Sequence, residues 1–256
     1  MQFDPDVLVE TARELVDKAA QRGVTLRTIG HLAVRAHIQE RLDLIDLLQR
    51  LPTHDIDFMG RSEEQNAAHR LFVEDLGYRP DPAIALSQEY GIKRLIYYRD
   101  DGLLAEIFLD ELRMAHTLDF RDRLELDYPT ISLVDLLLSK LQIQQITEKD
   151  IKDMIVLLAE HDLGSDDREC VDVDHLVDLT RDDWGLYHTA STNLAVVGQW
   201  LEGLEVIDAS TRKNVRSKLA EIVTRMEAGP KTVRWKIRSK IGTRLKWYED
   251  VGKVHR

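Results

Sequence analysis

Apolar residues recur at helical spacing from residue 5 to 21, where Val7, Leu8, Ala12, Leu15, Val16 and Ala19 share one face, and Gly23 ends the pattern. VTLRTIG (24 to 30) reads as a short strand closed by Gly30. A second helical pattern runs from His31 through Arg50, with Leu32, Val34, Ala36, Leu44, Leu47 and Leu48 as its apolar members, until Pro52 stops it. The next run, HDIDFMG, alternates with period two: Asp55 and Asp57 take one face of a strand, Ile56 and Phe58 the other. RSEEQNAAHRLFVEDLGY returns to helix, with Ala67, Leu71, Phe72 and Leu76 inward and Gly77 as its C-cap.

Two strand-like runs follow, KRLIYY (93 to 98) and LLAEIFLDE (103 to 111). The Asp101-Gly102 pair between them predicts a hairpin. In the second run Leu104, Glu106, Phe108 and Asp110 share one face and Ala105, Ile107 and Leu109 the other. A carboxylate in such a strand is costly unless it has a partner. RLELDYPTI can form a further short strand broken at Pro129. From Ser132 the pattern is helical to His161, with a capping-box signature at Ser132 to Asp135 and a second N-cap at Thr147, so two helices meeting near Gln145 are expected. The acidic, turn-rich stretch 162 to 176 is the best domain boundary, giving lobes 1–161 and 162–256. Helices then carry residues 173 to 228, and Gly229-Pro230 precedes a basic terminal helix.

Composition narrows the class. With 43% hydrophobic and 32% charged residues among 256, the chain is an ordinary globular protein, and no apolar run reaches the 18 or so residues of a membrane span. The acidic, amphipathic start lacks the features of a signal peptide, so the cytoplasm is the expected location and no membrane partner is expected. The single cysteine, Cys170, excludes an internal disulfide and a cysteine-based zinc site. No HExxH, P-loop, GxGxxG or GxSxG motif occurs. The net charge of -11 hides an asymmetry: Lys231 to Arg256 holds nine Lys/Arg, Lys253 and Arg256 included, against Glu249 and Asp250. Basic residues interleaved with Trp235, Trp247 and Tyr248 suit an RNA partner. They suit equally an amphipathic helix docking Trp235, Ile237, Ile241 and Leu245 on the lobe.

The candidate chemistry lies at Asp55 and Asp57. Acid pairs at that spacing arise by chance about eight times in such a composition, and Asp4/Asp6, Glu125/Asp127, Glu148/Asp150 and Asp172/Asp174 are other cases. The apolar strand around Asp55 and Asp57 sets them apart. Two carboxylates on one face of a strand end can share Mg²⁺, leaving coordination positions for phosphate and water. Lys140 sits in a leucine-rich helix, where its ammonium must snorkel out or find a buried acceptor.

Taken in order, TIGHLAVRAH, HDIDFMG and AEIFLD, followed by the LLLSKLQ and EKDIKDMIVLL helices, resemble the nucleotidyltransferase superfamily, specifically its AbiEii-like branch, over residues 24 to 160. The resemblance implies an α+β (α/β) fold with a small mixed sheet flanked by helices, plus a helical C-terminal lobe. It implies a metal-dependent enzyme that moves a nucleotidyl group from a nucleoside triphosphate (NTP) to a hydroxyl of an RNA, protein or small molecule. Asp55, Asp57 and Glu106 would hold Mg²⁺ (or Mn²⁺), with Asp110 as the rival to Glu106. Gly30, His31, Lys140 and Asp153 would serve the nucleotide, Asp150 standing next after Asp153, and Arg61 could touch phosphate. His31 departs from the family's second Gly or Ser, and Glu106 from its usual Asp. A toxin or antiphage role with an antitoxin protein as partner is also implied, and a catalytically inactive binding or regulatory protein of the same fold is the alternative.

Overall fold

The computed structural model describes residues 3–51, 53–82, 93–167 and 169–250. Pro52, Lys253 and Arg256, which entered the sequence reading, lie outside them. The chain forms two compact units, each an assembly of several segments. The first comprises Met1–His37, Leu51–Leu112 and Leu118–Ser132, and the second Ile38–Arg50, Arg113–Thr117 and Leu133–Arg256.

The first unit is α+β. Its opening helix α1 (Pro5–Gln21) is N-capped by Asp4, whose carboxylate accepts from the Asp6 amide at 2.8 Å, and it buries Leu8, Ala12, Leu15, Val16 and Ala19. Strand β1 (Leu26–Ile29) passes directly into α2 (Gly30–His37). Strands β2 (Asp55–Gly60), β3 (Arg79–Pro80), β4 (Arg94–Tyr98) and β5 (Leu104–Leu109) complete a mixed sheet of order β1-β2-β5-β4-β3. The β2–β5 pair is parallel and the remaining pairs are antiparallel.

The predicted hairpin forms. Gly102 N–H donates to Arg99 O at 2.9 Å, and Arg94 lies opposite Phe108. One face of the sheet carries Ile56, Phe58, Leu95, Tyr97, Ala105, Ile107 and Leu109 into a core shared with α1 and with Phe72 and Tyr78. Phe72 stacks on Tyr97 with ring centroids 4.7 Å apart. Burying Phe58 completely contributes about 1.5–3 kcal/mol. The expected strand in RLELDYPTI does not form. Residues 121–129 are turns and bends, and only Thr130 makes an isolated bridge, to Thr28.

The second unit is mainly helical. The helix expected from His31 through Arg50 is broken: α2 stops at His37 and Leu42–Leu47 forms a separate short helix. The reason is non-local. The Glu160 carboxylate accepts from the backbone amides of Gln39, Glu40 and Arg41 at 2.9, 3.0 and 2.9 Å, which fixes a non-helical bend there. Burial would raise the Glu160 pKa, but the three amide donors outweigh it and hold it below the ordinary value.

The helices Leu133–Leu141 and Glu148–Glu160 form as expected. The second starts at Thr147, whose amide donates to Asp150 at 3.0 Å in a capping box. The helices Val173–Asp182, Trp184–Glu202 and Ala209–Ala228 complete the unit. The expected boundary at 161/162 therefore differs from the observed division. Both helices of 133–160 are buried on most of their surface and belong with the later helices. No helix among the described residues is long and apolar enough to cross a membrane.

The basic terminal helix Val233–Ile241 docks through Trp235, one of the side chains expected, but not through Ile237 or Leu245. Val233, Ile237 and Leu245 are exposed. The attachment comes from Trp235, edge-on to Tyr187 at 5.3 Å, and from Trp247, whose indole N–H donates to Thr189 at 3.1 Å. Arg238 lies 4.7 Å above the Trp184 ring and donates to the carbonyls of Gly242 and Leu245.

Candidate metal and nucleotide site

The site is built from the sheet face opposite the core. Alternation along β2 leaves Asp55 and Asp57 half-buried on that face while Ile56 and Phe58 are fully buried on the other. The parallel register then makes Asp57 the Cα partner of Glu106 and Asp55 the partner of Leu104. Neighbouring strands lie about 4.8 Å apart, so two carboxylates from segments roughly fifty residues apart stand side by side. On the other flank Ile29 is the partner of Asp57. Immediately after it Gly30 turns the chain into α2 at φ +72°, and a Cβ on Gly30 would lie 3.3 Å from Asp57 Oδ2. The structure thus brings Gly30, Asp57 and Glu106 together, with Asp55 two residues along the same strand face.

Each group has defined surroundings. The Thr53 hydroxyl donates to Asp55 Oδ1. Glu106 is 2% exposed and forms an ion pair with Arg94. That guanidinium also lies 5.3 Å above the Phe108 ring, so β4 supplies the partner that a buried carboxylate needs. His31 is buried in the first turn of α2.

Asp110, the rival to Glu106, does other work. It sits at φ +63° and accepts from Ser62 N (2.9 Å), Ser62 Oγ (2.6 Å) and Lys93 Nζ (2.8 Å). Burial would raise its pKa, but Lys93 and Ser62 together bring it down to about 2. Arg61, considered for phosphate, pairs with Glu125.

The three-carboxylate metal set of Asp55, Asp57 and Glu106 remains an expectation beside these contacts. Among the described residues no group of three or more His, Cys, Asp or Glu side chains is gathered to hold a metal ion. Glu106 has the right register but is committed to Arg94. The pair Asp55 and Asp57 by itself offers hard oxygen donors on one accessible strand face, and that donor chemistry fits Mg²⁺ or Mn²⁺.

Lys140 and Asp153 belong to the helical unit. Lys140 Nζ lies 3.0 Å from Asp153 and 3.2 Å from Asp150. Burial works against the ammonium charge, but Asp153 and Asp150 more than offset it and the Lys140 pKa is raised. Asp153, 1% exposed, also accepts from Arg50 at 2.8 and 3.2 Å. Lys140 thus pairs with Asp150 and Asp153 of the next helix, and Arg50 shares Asp153 with it.

No protein-family model matches the chain, and no curated protein matches it. A solved structure is similar. It is that of the antibiotic-resistance factor ANT(2'')-Ia, 12% identical, spanning 88% of this chain and 97% of that chain, with a TM-score of 0.38. A superposition that loose carries no argument about activity.

Arg94, Arg50 and the Ser62–Lys93 support of Asp110 were not found from the sequence. Only Arg94 had an available signal: once the Asp101-Gly102 turn sets the hairpin register, Arg94 falls on the face of Glu106, one diagonal step away.

Proposed function

We propose that the sheet-bearing unit is a nucleotidyltransferase site, in which an acceptor hydroxyl attacks the α-phosphorus of an NTP and pyrophosphate leaves. The observation that carries this reading is the convergence of Gly30 and Glu106 on Asp57. Asp55 and Asp57 would hold Mg²⁺ or Mn²⁺, which when bound neutralises charge on the triphosphate and orients the leaving group. Gly30, lacking a side chain, leaves room for phosphate against the start of α2, whose dipole favours an anion. Glu106, once released by Arg94, would join Asp55 and Asp57 at the cation and help deprotonate the acceptor hydroxyl.

The assignment of Lys140 and Asp153 to the nucleotide rests on the resemblance, while their own contacts support a buried ion-pair network. The acceptor is an RNA, a protein or a small molecule, and a toxin or antiphage role with an antitoxin partner is the context the resemblance suggests. A second reading, a non-catalytic binding or regulatory protein, is favoured by the Arg94–Glu106 pair and by His31 in place of a small residue.

The test is transfer of label from each α-labelled NTP to total RNA, or to the protein itself, run beside Asp57→Ala. Label that disappears in the variant supports the transferase. Equal label in both excludes catalysis at this site, and no label from the wild type with any NTP favours the non-catalytic protein.

A further inference from the structure

The Arg94–Glu106 pair poses a question of its own. Asp57 and Glu106 are register partners on one strand face, yet the carboxylate best placed to join the aspartates is the one carrying an arginine. Glu106 is 2% exposed, so a charge there cannot rely on water. Arg94 is less enclosed, its side chain being 25% exposed, and it is held laterally by the Phe108 ring. The buried partner is the acid, and the partner with access to solvent is the cation.

Resting on the nucleotidyltransferase reading, we propose that Arg94 is an exchange partner. It neutralises Glu106 in the empty site, and it moves to the phosphates of the incoming triphosphate when a divalent cation takes over Glu106. The chemistry suits both states, because the planar guanidinium fork matches carboxylate and phosphate oxygens equally well. The exchange conserves charge pairing: cation replaces arginine at Glu106, and arginine gains phosphate. Cation and triphosphate should therefore bind with positive coupling through one residue.

The first experiment is a Mn²⁺ titration followed by electron paramagnetic resonance of the wild type, Arg94→Gln, Glu106→Gln and the double variant. Removing Arg94 frees Glu106, so Arg94→Gln is expected to bind Mn²⁺ about tenfold more tightly, with no such gain in the Glu106→Gln background. The second is binding of preformed magnesium tripolyphosphate, a base-independent probe, which Arg94→Gln is expected to weaken about tenfold. Mn²⁺ affinity unchanged or lowered by Arg94→Gln overturns the exchange, as does a gain that persists without Glu106 or undiminished tripolyphosphate binding.

Should Arg94→Gln fail to fold, the wild type decides. Its Arg94 Nε–H resonance, assigned by its loss in Arg94→Lys, is expected to shift on adding magnesium tripolyphosphate, and an unmoved resonance overturns the proposal. Failure of the underlying site reading looks different. Then Asp57→Ala binds Mn²⁺ as tightly as the wild type, or the wild type binds none.

Discussion

Gly30 and Asp57 are placed so that a methyl group on residue 30 would lie 3.3 Å from the Asp57 carboxylate oxygen Oδ2. Backbone at φ +72° already disfavours any L side chain there, by about 1–2 kcal/mol. Gly30→Ala is therefore expected to lower stability by about that amount and, beyond it, to weaken Mn²⁺ binding by displacing Asp57. Gly23→Ala is the control, because Gly23 has φ +67° but nothing within 4 Å of an added Cβ. It should show the stability loss alone. Equal Mn²⁺ affinity in the two variants would separate Gly30 from the metal-binding face.

Asp153 holds two cations in a buried setting, Lys140 at 3.0 Å and Arg50 at 2.8 Å. Asp153→Ala leaves both without their shared acceptor and is expected to cost about 3–5 kcal/mol in urea unfolding. Lys140→Met leaves Asp153 its Arg50 partner and should cost less. The reverse order would show that Lys140, not Arg50, carries the network.

Asp110 predicts a specific acid response. Its pKa falls from 3.8 to about 2 on folding, so the native state binds fewer protons than the unfolded chain between those values. Its stabilising contribution is complete above pH 4 and is lost as pH falls toward 2. Asp110→Asn should therefore be less stable than the wild type by a constant amount from pH 5 to 7, and the difference should shrink between pH 4 and 2. Parallel stability curves across that interval would refute the assignment.

Trp247 gives the basic tail a testable anchor. Its indole donates to Thr189, and its ring meets His188 at 5.0 Å and Trp184 edge-on at 6.3 Å. Trp247→Ala is expected to cost roughly 1–2 kcal/mol from the lost hydrogen bond and ring contacts. RNA affinity, if the tail has any, should then depend on its lysines and fall steeply with salt. A base-stacking role for Trp247 would appear instead as lost RNA binding at unchanged stability.

Much of the sheet was legible in the sequence because its signals are short-range. The Asp-Gly turn predicts the hairpin, period-two alternation separates Asp55 and Asp57 from Ile56 and Phe58, and Gly30 marks the strand-to-helix turn. What was missed depends on partners far along the chain. The break after His37 is imposed by Glu160, about 120 residues away, and no local residue signals it. Arg94 is visible only once the register of β4 on β5 is known. The division between units differs from the expected boundary at 161/162, because the apolar character of 133–160 says that those helices are buried without saying against what.

The parallel pairing of β2 with β5 has one more consequence. β4 and β5 are joined by a tight turn and can pair early, whereas β5 reaches β2 only across the intervening chain. Arg94 is therefore expected to meet Glu106 before that longer loop closes, so the glutamate enters the sheet already chaperoned by its own hairpin. An arginine of this kind serves the nascent chain as well as the finished protein, and its removal should slow refolding even under conditions that leave the folded state intact.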